Sequence, residues 1–208
     1  MAPAPLGAAP LTPELLTEPR TGSGRAAPLR LAVVIGSTRV GRRGSAIGRW
    51  FADLAAAREG LEVEVVDLAE HPLPAVLDPA AGSAPAVTAL GARLDAADAF
   101  VIVTPEYNHS FPAPLKHAID WYGDEWYAKP VAFVSYGGRG GGLRAVEQLR
   151  QVFAELHAVT VRETVSLHGP QEPGPGSESD PAATAMLDRL TWWADALRAA
   201  RAHRPFTP

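Results

Sequence analysis

The sequence predicts an α/β domain of three layers, a doubly wound, five-stranded parallel sheet with helices on both faces. Three observations carry that expectation: apolar runs of strand length recur along the chain, helical periodicities separate them, and the two alternate throughout residues 29–203. Alternation of this kind calls for a parallel sheet, because each right-handed crossover lays its helix over the sheet. In such folds ligands sit beyond the carboxyl ends of the strands, where strand order reverses. The loops after strands one, three and four are therefore the ones to read for chemistry.

Each element has its own justification. Leu31-Ala32-Val33-Val34-Ile35, ending in Gly36-Ser37, is a continuous apolar run suited to a strand buried on both faces. Ile47, Trp50, Phe51, Leu54 and Arg58 follow at helical spacing, with Gly44 or Ser45 near the start and Gly60 beyond the end. Leu61, Val63 and Val65 alternate with Glu62 and Glu64, the period of a half-exposed strand at a sheet edge. A proline-rich loop over residues 69–84 leads to a helix carrying Val87, Leu90 and Leu94. Phe100–Val103 and Val131–Val134 are two further strands, separated by a proline-started helix with Leu115, Ile119 and Tyr122 on one face. Ala145, Val146, Leu149, Val152, Phe153 and Leu156 mark another amphipathic helix, and Val159–Leu167 a fifth strand. A Gly-, Pro-, Ser- and Glu-rich loop over 169–181 precedes a last helix with Leu187, Leu190, Trp193 (or Ala194) and Leu197 on one side. Trp192 and Trp193 are expected to pack in the core, Trp193 within the apolar stripe and Trp192 on a neighbouring face.

Composition narrows the function. The 208 residues include no cysteine, which excludes a disulfide scaffold, a thiol nucleophile and cysteine-ligated metal. With 19 basic and 23 acidic side chains the net charge is −4, and no concentrated basic face suggests nucleic acid. No apolar run reaches the ~20 residues of a membrane-spanning helix. Residues 1–28, with prolines at 3, 5, 10, 13, 19 and 28 and much alanine, read as a disordered extension, with a short helical turn at Glu14–Leu16. The expected organisation is this extension, a domain over 29–203 and a flexible tail over 204–208, in the cytoplasm. The six histidines lie far apart or off metal-ligand spacing, so no metal is expected.

The first loop runs Gly36-Ser37-Thr38-Arg39-Val40-Gly41-Arg42-Arg43-Gly44-Ser45 into a helix start. Its glycines let backbone amides approach an anion, its hydroxyls donate and its arginines supply charge, so it reads as a phosphate loop. It lacks Gly-Lys-Ser/Thr and the Gly-x-Gly-x-x-Gly spacing, which argues against ATP and a Rossmann dinucleotide site. The third strand ends in Thr104-Pro105-Glu106-Tyr107-Asn108-His109-Ser110 before Leu115-Lys116-His117-Ala118-Ile119-Asp120-Trp121; the fourth ends in Ser135-Tyr136-Gly137-Gly138-Arg139-Gly140-Gly141-Gly142.

Together these stretches resemble the NADPH-dependent FMN reductase family of flavodoxin-like quinone, azo and chromate reductases, over roughly residues 29–167. The resemblance implies a flavodoxin-like strand order 2-1-3-4-5, FMN as cofactor and NADPH (or NADH) as co-substrate. It implies that Ser37, Thr38, Arg39 and the loop through Gly44 to Ser45 hold the FMN phosphate, with Arg42 or Arg43 as a further contact. Pro105, Glu106, Tyr107 and Asn108 would line the isoalloxazine ring, with His109 and Ser110 completing the turn. Ser135, Tyr136, Gly137 and Gly138 would bring backbone amides to the pyrimidine end, where a reduced flavin gathers negative charge. The chemistry is hydride transfer between stacked rings, so no protein acid, base or nucleophile is expected. The reduced flavin would pass electrons to a quinone-like, azo or metal-oxyanion acceptor, or to free flavin, in a ping-pong cycle.

The resemblance also implies pairing of subunits near the flavin, as a homodimer or dimer of dimers, which assigns Trp121, Trp126 and Tyr127 to an interface. Glu106 has no evident partner in the sequence and is expected to orient a loop or a partner contact. Asp120, Asp124 and Glu125 read as a solvated face. His117 stands where the family has asparagine. Arg39, Arg43, Arg139 and Arg144 are candidates for recognising the 2′-phosphate of NADPH. The competing function is a flavin-binding electron carrier or redox-responsive partner protein that does not oxidise NADPH, although such carriers tend to be more acidic than this chain. A third reading is a non-flavin phosphate binder.

Overall fold

In the computed structural model, which describes residues 27–78, 84–169, 173 and 177–208, the first strand, β1 (Leu29–Ile35), is buried at every position but Arg30. That burial follows from its place in the sheet, between two parallel neighbours and under helices on both faces. The chain continues through α1 (Gly44–Ala56), β2 (Leu61–Asp67), α2 (Pro85–Ala96), β3 (Ala99–Pro105), α3 (Ala113–Trp121), a 3-10 turn (Asp124–Trp126), β4 (Pro130–Gly137), α4 (Leu143–Glu155), β5 (Val159–His168) and α5 (Asp180–His203). All pairings are parallel, in the order β2-β1-β3-β4-β5 expected of a flavodoxin-like fold. Order reverses between β1 and β3, whose registers put Ile35 beside Val103, while Thr104 and Pro105 lie beside Ser135 and Tyr136. The carboxyl ends of β1, β3 and β4 thus meet along one edge.

Two hydrophobic clusters hold the layers. One joins α1 and α5 to the sheet through Ile47, Phe51, Met186 and Leu190 against Val33, Val101 and Val134. The other joins α2, α3 and α4 through Leu90, Leu94, Ile119 and Phe153 against Val34, Phe100 and Phe133. The alternation in β2 is that of an edge strand, its glutamates exposed while Val66 and Asp67 become buried at the end nearest the site. The C-terminus of α2 is closed by Lys129, a buried side chain whose Nζ donates to the carbonyls of Leu94 and Asp95 at 3.1 and 2.7 Å.

Several tryptophans lie elsewhere than the sequence suggests. Trp192 and Trp193 are 63% and 37% exposed, stacked edge to face on the outer side of α5, and Ala194 takes the core position. A small residue there lets the helix sit close to the sheet, which an indole would prevent. Trp126 is 2% exposed and lies between Phe100 and Phe153, in the core rather than at a surface free for a second subunit. Trp121 is half-buried and, with His117, grips the Pro74 carbonyl: His117 Nε2 lies 2.7 Å and Trp121 Nε1 3.3 Å from that oxygen. The histidine in the asparagine position therefore fastens the segment after β2 to α3. Beyond α5, Phe206 of the tail stacks on Tyr127 and His157. The expectations for residues 1–26, and for most of the loop at 170–176, fall outside the described residues.

Candidate functional site

The β1–α1 loop leaves the sheet at Gly36, whose amide bonds to Val103 at 2.9 Å, and enters α1 without a side-chain cap and without an acidic residue in the first turn. Helix-start amides left uncapped in this way favour an anion. The arginines of the loop are not equivalent. Arg42 Nη2 donates to the buried Asp67 carboxylate at 2.6 Å, tying the loop to the end of β2. Arg43 donates to the Gly169 carbonyl at 2.7 Å and lies over the Tyr136 ring. Arg39 is exposed and has no ion pair among the described residues, so its charge is available to a ligand.

After β3, Tyr107-Asn108-His109-Ser110 forms a two-residue reverse turn. Tyr107 and Ser110 exchange backbone hydrogen bonds of 2.8 and 3.0 Å, and Asn108 and His109 both have positive φ, 49° and 69°. That is a type I′ turn, in which Asn suits the first central position while the second favours glycine over a side chain such as that of His109. The Tyr107 hydroxyl shares a 2.8 Å hydrogen bond with the fully buried Ser37 hydroxyl, joining this turn to the first loop. Glu106, unpaired as far as sequence could tell, has a partner: Arg144 donates to it from Nη1 at 2.7 Å and from its backbone amide at 3.2 Å. The carboxylate therefore orients a loop, as expected, and joins it to the start of α4.

The glycine-rich loop after β4 folds back on its own strand. Ser135 is fully buried with its hydroxyl on the Gly141 carbonyl at 2.8 Å, where Ser166 also donates at 2.8 Å. Gly142 adopts φ 87°, and a Cβ there would lie 2.6 Å from that of Ser135. Gly138, by contrast, faces open space. The Tyr136 hydroxyl is buried beside the Ser37 hydroxyl and the Gly44 backbone, and a Cβ on Gly44 would come within 2.8 Å of it. Burial, helped by the neighbouring Tyr107, pushes the Tyr136 phenol up to about 12, so it stays protonated at neutral pH.

A cavity of about 560 Å³ gathers these groups, lined by Arg39, Arg42, Pro105, Glu106, Tyr107, Tyr136, Gly137 and Gly138 among the expected residues. Val40, Gly41, Arg43 and Gly169 complete it. Ser37, Gly44 and Ser135 do not line it: Ser37 is bonded to the Tyr107 hydroxyl, Gly44 lies close to the Tyr136 hydroxyl and Ser135 is bonded to the Gly141 carbonyl. Thr38 lines a neighbouring, mainly apolar cavity of about 470 Å³ beside His71 and His117. Ser45 is half-buried in the first turn of α1, and Asn108, His109 and Ser110 form the outer tip of the turn. Gly169 and Gln148 were missed by sequence reasoning, and Arg144, a candidate for the 2′-phosphate, instead pairs with Glu106. The first could be suspected only as the glycine following β5, and Gln148 only as a polar residue four positions after Arg144 on a helix that follows a glycine run.

A cavity lined by Pro105, Tyr107 and Tyr136, beside an uncapped helix start and an exposed Arg39 with no ion pair among the described residues, suits a planar ligand carrying phosphate. On the carboxyl edge of a 2-1-3-4-5 sheet, it defines a flavodoxin-like mononucleotide-binding protein. Residues 29–172 match the NADPH-dependent FMN reductase family, and the chain belongs to it. Its class is therefore that of oxidoreductases with FMN as cofactor and NAD(P)H as reductant. The chain is 35% identical over 130 residues to an NAD(P)H-dependent FMN reductase of Schizosaccharomyces pombe, spanning 59% of this chain and 64% of that one. It is 33% identical over 157 residues to a probable NADPH:quinone oxidoreductase of Oryza sativa, spanning 72% and 77%. Among solved structures it is similar to FerB, a flavoenzyme NAD(P)H:(acceptor) oxidoreductase from Paracoccus denitrificans, with TM-score 0.64 and 26% identity over 82% of this chain and 98% of that one.

Proposed function

We propose that the protein is an FMN-dependent oxidoreductase that takes hydride from NADPH or NADH and reduces quinone-like, azo or metal-oxyanion acceptors, or free flavin, in a ping-pong cycle. The observation that carries this reading is the meeting of the uncapped α1 start, Arg39 and the Tyr107 turn around one cavity. When bound, FMN supplies acceptance of hydride from the nicotinamide and its onward delivery. Arg39 and the first-turn amides of α1 bind the phosphate, while Arg42, held by Asp67, fixes the shape of the loop. Pro105 to Tyr107 and Tyr136 to Gly138 flank the ring, while the protonated Tyr136 hydroxyl is buried beside Ser37 and Gly44 and stiffens that wall. The protein's contribution is positioning, and no side chain needs to act as acid or base. We assign the working form to a homodimer or dimer of dimers in the cytoplasm. No helix among the described residues is long and apolar enough to cross a membrane.

The test is to load the protein with FMN, desalt it, and add NADPH without oxygen while following the visible absorption. Loss of the flavin band supports the enzyme. A retained flavin that stays oxidised would instead make the chain an electron carrier, and a chain that retains no flavin would be some other phosphate binder.

A further inference from the structure

The Tyr107–Ser110 turn is an unfavourable conformation for its sequence. A type I′ turn wants positive φ at both central positions, for which Asn-Gly is the preferred pair, yet the second position here is His109 at φ 69°. A turn strained at an L-residue persists only where its surroundings over-determine it. The surroundings are the outer face of α4. Gln148 Nε2 donates to the His109 carbonyl at 2.9 Å, and the Ser110 hydroxyl donates to Gln148 Oε1 at 2.6 Å. One amide group thus grips two successive residues of the turn. One helical turn earlier, Arg144 holds Glu106 at the other end of the segment. Positions four apart lie on one helix face, so α4 presents both grips together while Ala145, Val146, Leu149 and Phe153 anchor it in the core. Neither side chain lines the cavity.

We propose that Gln148 is a positioning residue for the flavin: by gripping His109 and Ser110 it holds the strained turn in the shape that binds FMN and tunes its reduction. The proposal rests on the reading that this rim receives FMN.

The test compares wild type, Gln148→Leu and Gln151→Leu, the last an exposed position on the same helix with the same change of polarity. The readouts are the FMN dissociation constant, from fluorescence quenching on titrating apo-protein, and the midpoint potential of the bound flavin. Gln148→Leu is expected to weaken FMN binding about 5- to 20-fold, the effect of losing one to two net hydrogen bonds, and to shift the potential, while Gln151→Leu changes neither. Adding His109→Gly to Gln148→Leu should restore most of the affinity, because Asn-Gly forms the turn without a grip. A folded Gln148→Leu protein with wild-type affinity and potential overturns the proposal. So does a loss of melting temperature alone, since that is all a merely structural contact would give. A wild-type chain that binds no FMN overturns the site reading itself, a distinct result visible before any variant is made.

Discussion

Arg39 and Arg42 stand three residues apart in one loop and do different work. Arg39 is exposed and without an ion pair among the described residues, so its removal should cost the fold little and, on the proposed site, deprive a bound phosphate of a cation. Arg39→Ala is expected to weaken FMN retention at least tenfold with a melting temperature within about 2 °C of wild type; unchanged affinity would remove it from the site. Arg42→Ala strips the partner from Asp67, a carboxylate only 8% exposed, and should cost about 2 kcal/mol in urea unfolding. The sequence marks the loop as a candidate anion site but not this division, because Asp67 is 25 residues away and meets Arg42 only once β2 lies beside β1. For the same reason the partner of Glu106, 38 residues on, could not be read.

At the scale of elements, periodicity was enough to find the five strands and five α-helices of the described residues, since strand burial on two faces and helix burial on one leave different periods in the sequence. It failed on α5, where Trp193 and Ala194 both fit the stripe and only the distance between helix and sheet decides. It also failed to foresee that Trp126, after the end of α3, turns back under β3 and α4. The glycine loop was legible as a ligand loop, yet its glycines serve packing as well. Gly142→Ala would put a β-carbon 2.6 Å from that of Ser135 at φ 87° and within 2.9 Å of the Tyr136 amide. It should destabilise the protein by about 3 kcal/mol in chemical denaturation, whereas Gly138→Ala, facing open space, should leave stability unchanged within about 0.5 kcal/mol.

For the whole molecule, the layer order followed from alternation, but its titration behaviour did not. Burial lowers Lys129 from 10.5 to about 8, against a partial counter-effect from Asp95. A cation that is harder to protonate when folded makes the unfolded chain bind more protons between those values, so stability rises with pH across that window. Tyr122 and Tyr136, raised by burial from 10.0 to about 12, act oppositely: their folded forms keep the proton longer, and stability falls from pH 10 towards 12. Urea unfolding should therefore show a lysine-dependent gain from about pH 8 to 10 that reverses above it, and Lys129→Met should remove the gain. Deleting residues 1–25 is expected to leave turnover unchanged; lost activity with an intact core would give the extension a function.

The parallel order has a consequence for biosynthesis. A ribosome releases β1, α1 and β2 first, yet the strand that completes the pairing of β1, and the turn beyond it, come only with residues 99–110. The helix that grips that turn follows still later, at residues 143–155. On the proposed site, a nascent chain carries the phosphate loop long before the residues that would flank the ring, so FMN is expected to bind after the sheet has formed rather than to template its early folding. It stabilises the finished molecule by mass action, in proportion to its free concentration over its dissociation constant. Scarcity of flavin should consequently shorten the lifetime of the completed protein rather than slow its synthesis.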